Sequence, residues 1–472
     1  MKTLLRNAKV LLKDSSFAQA VGFDSAYGKI IFAGRNNDAS DKDYEEVIRL
    51  DGRLVIPAFT EGHCHFIEGS FINSRLNLRE AACKDDFVKG IREYKAANDG
   101  WIYGGFFADA NIRDGFLPEI GFLDSICPDT PVIISRFDTH SAFANSLALN
   151  LAGIDAEHNG FTDDEVTVVN GRLTGELKER ARDHVMDLIP DPPAEEMAAA
   201  AEKQMKKFHS QGITAISDIT QPHDLGIYEL MLAGGMLKLR IDSRLPFTQI
   251  GNLSRVRKEF EAHLPIIKFD SLKAFYDGSL SSKTSYMHHN FRNESHNGIR
   301  TEFVNSGEFA EYAERLDREG VQMSVHAIGD KAVTDLLDLA EHLNKLNGPR
   351  DRRFRIEHAQ HIRPDDMRRF AELNVIASVQ PSHLFSDAKT AVELLADSST
   401  EHNYPELLKH GGHVCFGTDF PIVSESPFET IYFAMTRKAS GFPGGFHPGY
   451  NMPLSECIKA YTIENAYATF EE

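Results

Sequence analysis

From residue 54 onward the chain repeats one pattern: an apolar run ends abruptly in polar residues, and a helix-like stretch follows. Eight such runs stand at 55–66, 213–219, 239–246, 272–277, 321–328, 354–360, 375–381 and 413–421. Amphipathic segments of helical period lie between several of them, at 308–318, 332–346 and 364–373. Strands alternating with helices mean βα units and a parallel sheet. Eight units predict an α/β fold, the (β/α)8 TIM barrel, whose active site lies at the C-terminal ends of its strands. Residues 1–53 read differently, as short strands at 3–12, 19–23, 29–33 and 46–50, and predict a small N-terminal β module. Two domains are therefore expected, 1–53 and 54–472. About 145 residues separate the first two barrel strands, too many for one crossover. The stretch 67–205 is expected to be an insertion that caps the barrel mouth, with a helix over 173–189.

Composition narrows the class. A hydrophobic content of 42% supplies a large core, and the net charge of −19 opposes a nucleic-acid or anionic-membrane surface. Five scattered cysteines without a Cys-x-x-Cys pair read as reduced thiols. The first 13 residues hold no apolar core long enough for a secretory signal, and no run approaches a membrane span. A soluble cytoplasmic enzyme is expected, with homodimerisation left open.

The candidate chemistry begins where the first run ends, at Glu61-Gly-His63-Cys-His65. On a strand, side chains repeat direction every second residue, so His63 and His65 are expected to converge as metal ligands, with Cys64 facing away into the core. With 20 histidines in 472 residues, about one His-x-His arises by chance. The other strand ends add weight. The fourth carries Lys273, the fifth His326, the sixth His358 and the eighth Asp419, and a barrel brings these ends together. A lone residue of each kind has a dull explanation; five strand ends with ligand-type side chains are harder to dismiss. His288-His289 is expected to be a solvated loop pair.

The chain resembles the amidohydrolase superfamily, specifically its amidohydrolase-3 branch of YtcJ-like metal-dependent hydrolases, which includes N-substituted formamide deformylases. The resemblance spans nearly the whole chain. It rests on Leu123-Asp124 with Pro131-Val132, Asp138-Thr139-His140, Asn145-Ser146-x-Ala148-Leu149 and Thr174-Gly175-x-Leu177-x-Glu179. It continues through Lys273-x-x-x-Asp277-Gly278-Ser279-Leu280, Val325-His326-Ala-Ile-Gly-Asp330, Arg355-Ile-Glu-His358-Ala-Gln360, Ser378-Val-Gln380-Pro-Ser-His383 and Gly417-Thr-Asp419-Phe-Pro421.

The resemblance implies two divalent metal ions, usually zinc. His63, His65 and Asp419 would hold one, His326 and His358 the other, with Lys273 bridging them as a carbamate formed with carbon dioxide. A metal-bridged hydroxide would attack an amide-type, non-peptide C–N bond, and Asp419 would carry the proton. Lys268 rivals Lys273, but the Lys-x-x-x-Asp-Gly spacing fits only Lys273. Glu179, a ligand type in some branches, reads as structural or pocket-lining. His140, Gln380 and His383 are the candidates for substrate binding. The family's chain normally continues into strands that complete a β-sandwich with the N-terminal module, so half of that sandwich is expected to be missing. Two other readings stay open. A mononuclear deaminase of the same superfamily is disfavoured by Lys273, and a regulatory protein descended from the fold is disfavoured by the intact ligand set.

Overall fold

The computed structural model describes residues 1–136, 140–157 and 160–472. Asp138 and Thr139 of the Asp-Thr-His motif lie outside the described residues. The chain divides into two compact units. Residues 1–64, 208–219 and 239–472 form one, and residues 65–207 and 220–238 the other.

The first unit opens with a five-stranded sheet of β1 (Lys2–Leu11), β2 (Phe17–Asp24), β3 (Lys29–Gly34), β4 (Glu46–Arg49) and β5 (Leu54–Val55), in the order β3-β2-β1-β4 with β5 also beside β1. The run at 55–66 therefore divides. Its start joins this sheet, and after Pro57 the chain resumes as the first barrel strand, β6 (Phe59–Cys64).

The second unit holds a six-stranded sheet: β7 (Leu76–Asn77), β8 (Ile102–Phe107), β9 (Val132–Arg136), β10 (Ser141–Ala144), β11 (Val166–Val169) and β12 (Arg172–Lys178). The helix expected over 173–189 is corrected here. Its first part is β12, paired antiparallel with β10 and β11, and only Glu179–Met186 is helical. Leu173 and Leu177 share a period of two with Gly175, whose φ of +91° and approach to the Ala144 carbonyl leave no room for a side chain.

The remaining barrel strands are β13 (Ile213–Ile219), β14 (Arg240–Pro246), β15 (Ile267–Phe275), β16 (Gln322–Ala327), β17 (Arg355–His358), β18 (Ile376–Val379) and β19 (His413–Phe416). With β6 they form one parallel sheet in sequence order, and a bridge between Cys64 and Phe420 joins its two ends. This is the TIM barrel. Short strands of fully buried residues, such as Ile376–Val379, suit a sheet covered on both faces. The helix Glu308–Arg318 shows why the covering helices form. Phe309, Ala313 and Leu316 repeat along one buried face, acidic Glu308 and Glu311 occupy the first turn, and Arg315 and Arg318 the last.

Candidate metal centre

The strand ends of the first unit bring His63, His358 and Asp419 together, one ligand atom from each lying within 4.8 Å of the others. His63 Nε2 is 3.4 Å from Asp419 Oδ1. The rings of His63 and His358 are 5.0 Å apart, and those of His358 and His326 4.4 Å. Two of these residues reach the cluster by leaving the strand's alternation. His358 follows Glu357, and a φ of +71° turns it out of the period-two pattern; Asp419 has a φ of +59°. Left-handed backbone at a non-glycine residue costs energy and collects at functional sites.

One ring nitrogen each of His63 and His326 is engaged. His63 Nδ1 lies 2.6 Å from Glu357 Oε2, and His326 Nε2 lies 3.2 Å from the Gly278 carbonyl and 3.6 Å from Asp277 Oδ1. A carboxylate behind an imidazole fixes its tautomer and aims the other nitrogen forward, which leaves His63 Nε2 facing Asp419. Burial pushes the His326 pKa down to about 3, aided by the nearby Lys273 charge, and holds His358 well below the ordinary range, so both rings are neutral donors.

Glu357 is itself held in place. Arg355 donates Nε to its Oε1 at 2.8 Å, and Arg244 donates Nη1 to the same oxygen at 3.0 Å. Both arginines and Glu357 are 0% exposed. Burial alone would raise the Glu357 pKa, but the two guanidiniums overcome it and hold the carboxyl well below its usual range. Sequence reasoning missed this group. Its signal was Arg355-Ile-Glu357, two charges two residues apart in a four-residue strand, with Arg244 in the middle of another.

Lys273 is 3% exposed, and its Nζ has no hydrogen-bond partner among the described residues. Burial lowers its pKa to about 8, against the opposing pull of Glu357 and Asp419. Lys268 differs. It donates to the Thr469 carbonyl and pairs with Glu471 at 3.2 Å, at the opposite end of the strand. His358 Nδ1 is another buried polar atom without a hydrogen-bond partner among the described residues. Neutral imidazoles, a carboxylate and an unpartnered amine are a donor set that fits divalent cations.

The remaining candidates are dispersed. His383 donates Nε2 to the Thr418 carbonyl at 3.3 Å, and its ring lies 6.2 Å from that of His358. Gln380 is buried, with its Nε2 3.3 Å from the Ser378 carbonyl. β6 ends at Cys64, so strand alternation does not set the direction of His65, which begins the second unit. Exposed His140 lies 3.3 Å from Glu179 Oε2 in that unit. Cys64 is fully buried, its Sγ 3.8 Å from the Ser217 carbonyl. His288 is half-buried and meets Thr334 Oγ1 at 3.1 Å, so only His289 is exposed, contrary to the solvated pair expected.

The chain is similar to known proteins over most of its length. The LONG AFTER FAR-RED 3 protein of Arabidopsis thaliana is 29% identical across 99% of this chain and 83% of its own. The N-substituted formamide deformylase of Arthrobacter pascens is 24% identical across 99% of this chain and 89% of its own. The crystal structure of an uncharacterized metal-dependent hydrolase from Pyrococcus furiosus shares the fold, with a TM-score of 0.80 and 24% identity over 100% of this chain and 95% of that one. Residues 46–472 match the family described as the amidohydrolase family, and the chain belongs to that family.

Proposed function

We propose that this chain is a metal-dependent hydrolase that cleaves an amide-type, non-peptide C–N bond in a small molecule. The convergence of His63, His358 and Asp419 within 4.8 Å carries the reading. These three, with His326 and Lys273, would hold divalent cations, zinc being the choice for an imidazole-rich set; the sequence motif adds His65. Bound cations supply a water that is nucleophilic near neutral pH and polarise the scissile carbonyl.

The chain's own residues do the rest. Glu357 fixes His63 so that its Nε2 faces Asp419. The depressed pKa of Lys273 keeps a share of its amine neutral near physiological pH, the form that reacts with carbon dioxide to give an anionic carbamate able to bridge cations. An unmodified ammonium would repel them. The Asp419 carboxylate accepts the proton of the attacking water and delivers it to the leaving nitrogen as the C–N bond breaks. His383 stands beside the cluster, placed to meet the substrate, and Gln380 supports the loop that carries it. The activity for which the Arthrobacter relative is named, deformylation of N-substituted formamides, supports the choice of bond.

The experiment is a screen of N-formyl and N-acyl amines against zinc-loaded protein, read by release of free amine. Hydrolysis of at least one series, abolished by a chelator and restored by zinc, is expected. Chelator-insensitive turnover would contradict the reading.

A further inference from the structure

Ladder pairing runs from β6 through β13 and onward to β19, but among the described residues no ladder joins β19 back to β6, and an isolated bridge links Cys64 at the end of β6 to Phe420, beyond β19. The barrel seam lacks the ladder that joins its other neighbours. Two buried side chains occupy it. Glu61, on β6, accepts from the His63 N–H at 3.1 Å and, across the seam, from the Thr418 N–H at 2.7 Å, both through Oε1. Asn465, from the helix Ile463–Ala468, donates Nδ2 to the Thr60 carbonyl at 2.7 Å and to the Phe416 carbonyl at 2.9 Å. Glu61 is 0% exposed and Asn465 1%.

The seam is also tight. A Cβ on Gly62 would lie 2.5 Å from Asn465 Oδ1 and from the Phe416 carbonyl, and one on Gly417 would lie 2.5 Å from the His63 nitrogen. Within this join the Asp419 N–H donates to the His63 carbonyl at 2.7 Å. The seam segments are therefore the ones that carry His63 and Asp419, whereas His358 comes from β17 on the same ring.

We propose that Glu61 and Asn465 are positioning residues: by splinting the seam they set the spacing between His63 and Asp419. A backbone ladder has a fixed register but cannot close on a one-residue bridge. Side chains that satisfy a donor or an acceptor on both strands at once hold the two strand ends at one separation. The proposal rests on the proposed function only for what that spacing serves.

The test compares Glu61→Leu, Glu61→Gln and Asn465→Leu with wild type by two readouts. One is hydrogen exchange of metal-free protein in segments 59–66 and 413–421. The other is zinc affinity by chelator competition. Glu61→Leu is expected to lose protection in those two segments while other barrel strands keep theirs, and to bind zinc about 10–100-fold more weakly, the usual size of a supporting-residue effect. Glu61→Gln keeps an acceptor oxygen and is expected to restore both. Asn465→Leu should open the same two segments, and it carries the comparison alone if Glu61→Leu does not fold. Wild-type protection in both leucine variants would overturn the proposal, as would protection lost evenly around the barrel. Should wild type bind no zinc, the functional reading fails while the exchange experiment still decides this one.

Discussion

Two histidine–glutamate pairs in this chain share their chemistry and differ in everything around it. His63 and Glu357 lie 2.6 Å apart with side chains 1% and 0% exposed; His140 and Glu179 lie 3.3 Å apart at 69% and 64%. Water screens the outer pair, so breaking it changes little. The inner pair sits with Arg244 and Arg355 in the buried interior, all at 0–1% exposure, where removing one member leaves the others charged and unpaired. Replacing the whole inner network by apolar side chains of similar volume would cost a barrel little stability. Its presence behind His63 is what a held ligand requires and what packing alone does not.

The largest break in this contrast lies at the carboxylate that His63 faces. Asp419→Asn keeps an oxygen donor but cannot accept a proton at neutral pH, so turnover should fall about 10²–10⁴-fold with much of the metal retained. Lys273→Ala should lose metal and turnover together. Steady-state kinetics paired with metal analysis separates the two outcomes; near-wild-type turnover by metal-bound Asp419→Asn would remove it from the proton-carrying role.

Glu357→Ala comes next. Two buried guanidiniums lose their shared partner, at a cost of about 3–5 kcal/mol in a denaturant titration. A loss under about 1 kcal/mol would mean that the interior is wetter than its burial implies.

The third effect is the pH dependence of the metal-free protein. His326 has a folded pKa of about 3 against 6.5 for the free side chain. As pH falls from 6.5 toward 3, the unfolded chain takes up a proton that the folded one refuses, so stability drops. Lys273, about 8 against 10.5, acts likewise between pH 10.5 and 8. His326→Gln should flatten the acid limb and Lys273→Met the alkaline one. Unchanged slopes in both variants would show that neither side chain is as buried as described. The smallest effect belongs to the outer pair, where Glu179→Gln should alter stability by no more than about 0.5 kcal/mol.

The contrast also explains what could be read from the sequence. All eight barrel strands were legible, because each is an apolar run bounded by polar residues. Their edges were less so. β15 begins at Ile267, earlier than the run at 272–277 suggests, because Lys268 and Asp270 interrupt the pattern. Lys268 is spent on the C-terminal residues Thr469 and Glu471. The convergence of His63, His358 and Asp419 could be read because a barrel gathers strand ends. Glu357 and Arg244 could not, because a charge facing a barrel interior has no partner in sequence until the ring closes. The same holds for Asn465, 405 residues from the Thr60 carbonyl it binds. The sheet of β7 to β12 was read least well, since Leu173 and Leu177 of β12, four residues apart, fit a helical spacing as well as a strand's period of two.

The central claim is that the buried cluster holds metal, and metal content per chain measures it most directly. Protein purified with added zinc, freed of loosely bound ions and analysed by mass spectrometry of the elements, should carry about two ions per chain, as a bridged site requires. The same preparation of a His63→Ala, His358→Ala variant should carry almost none. A wild-type stoichiometry near zero, in folded protein, would contradict the account.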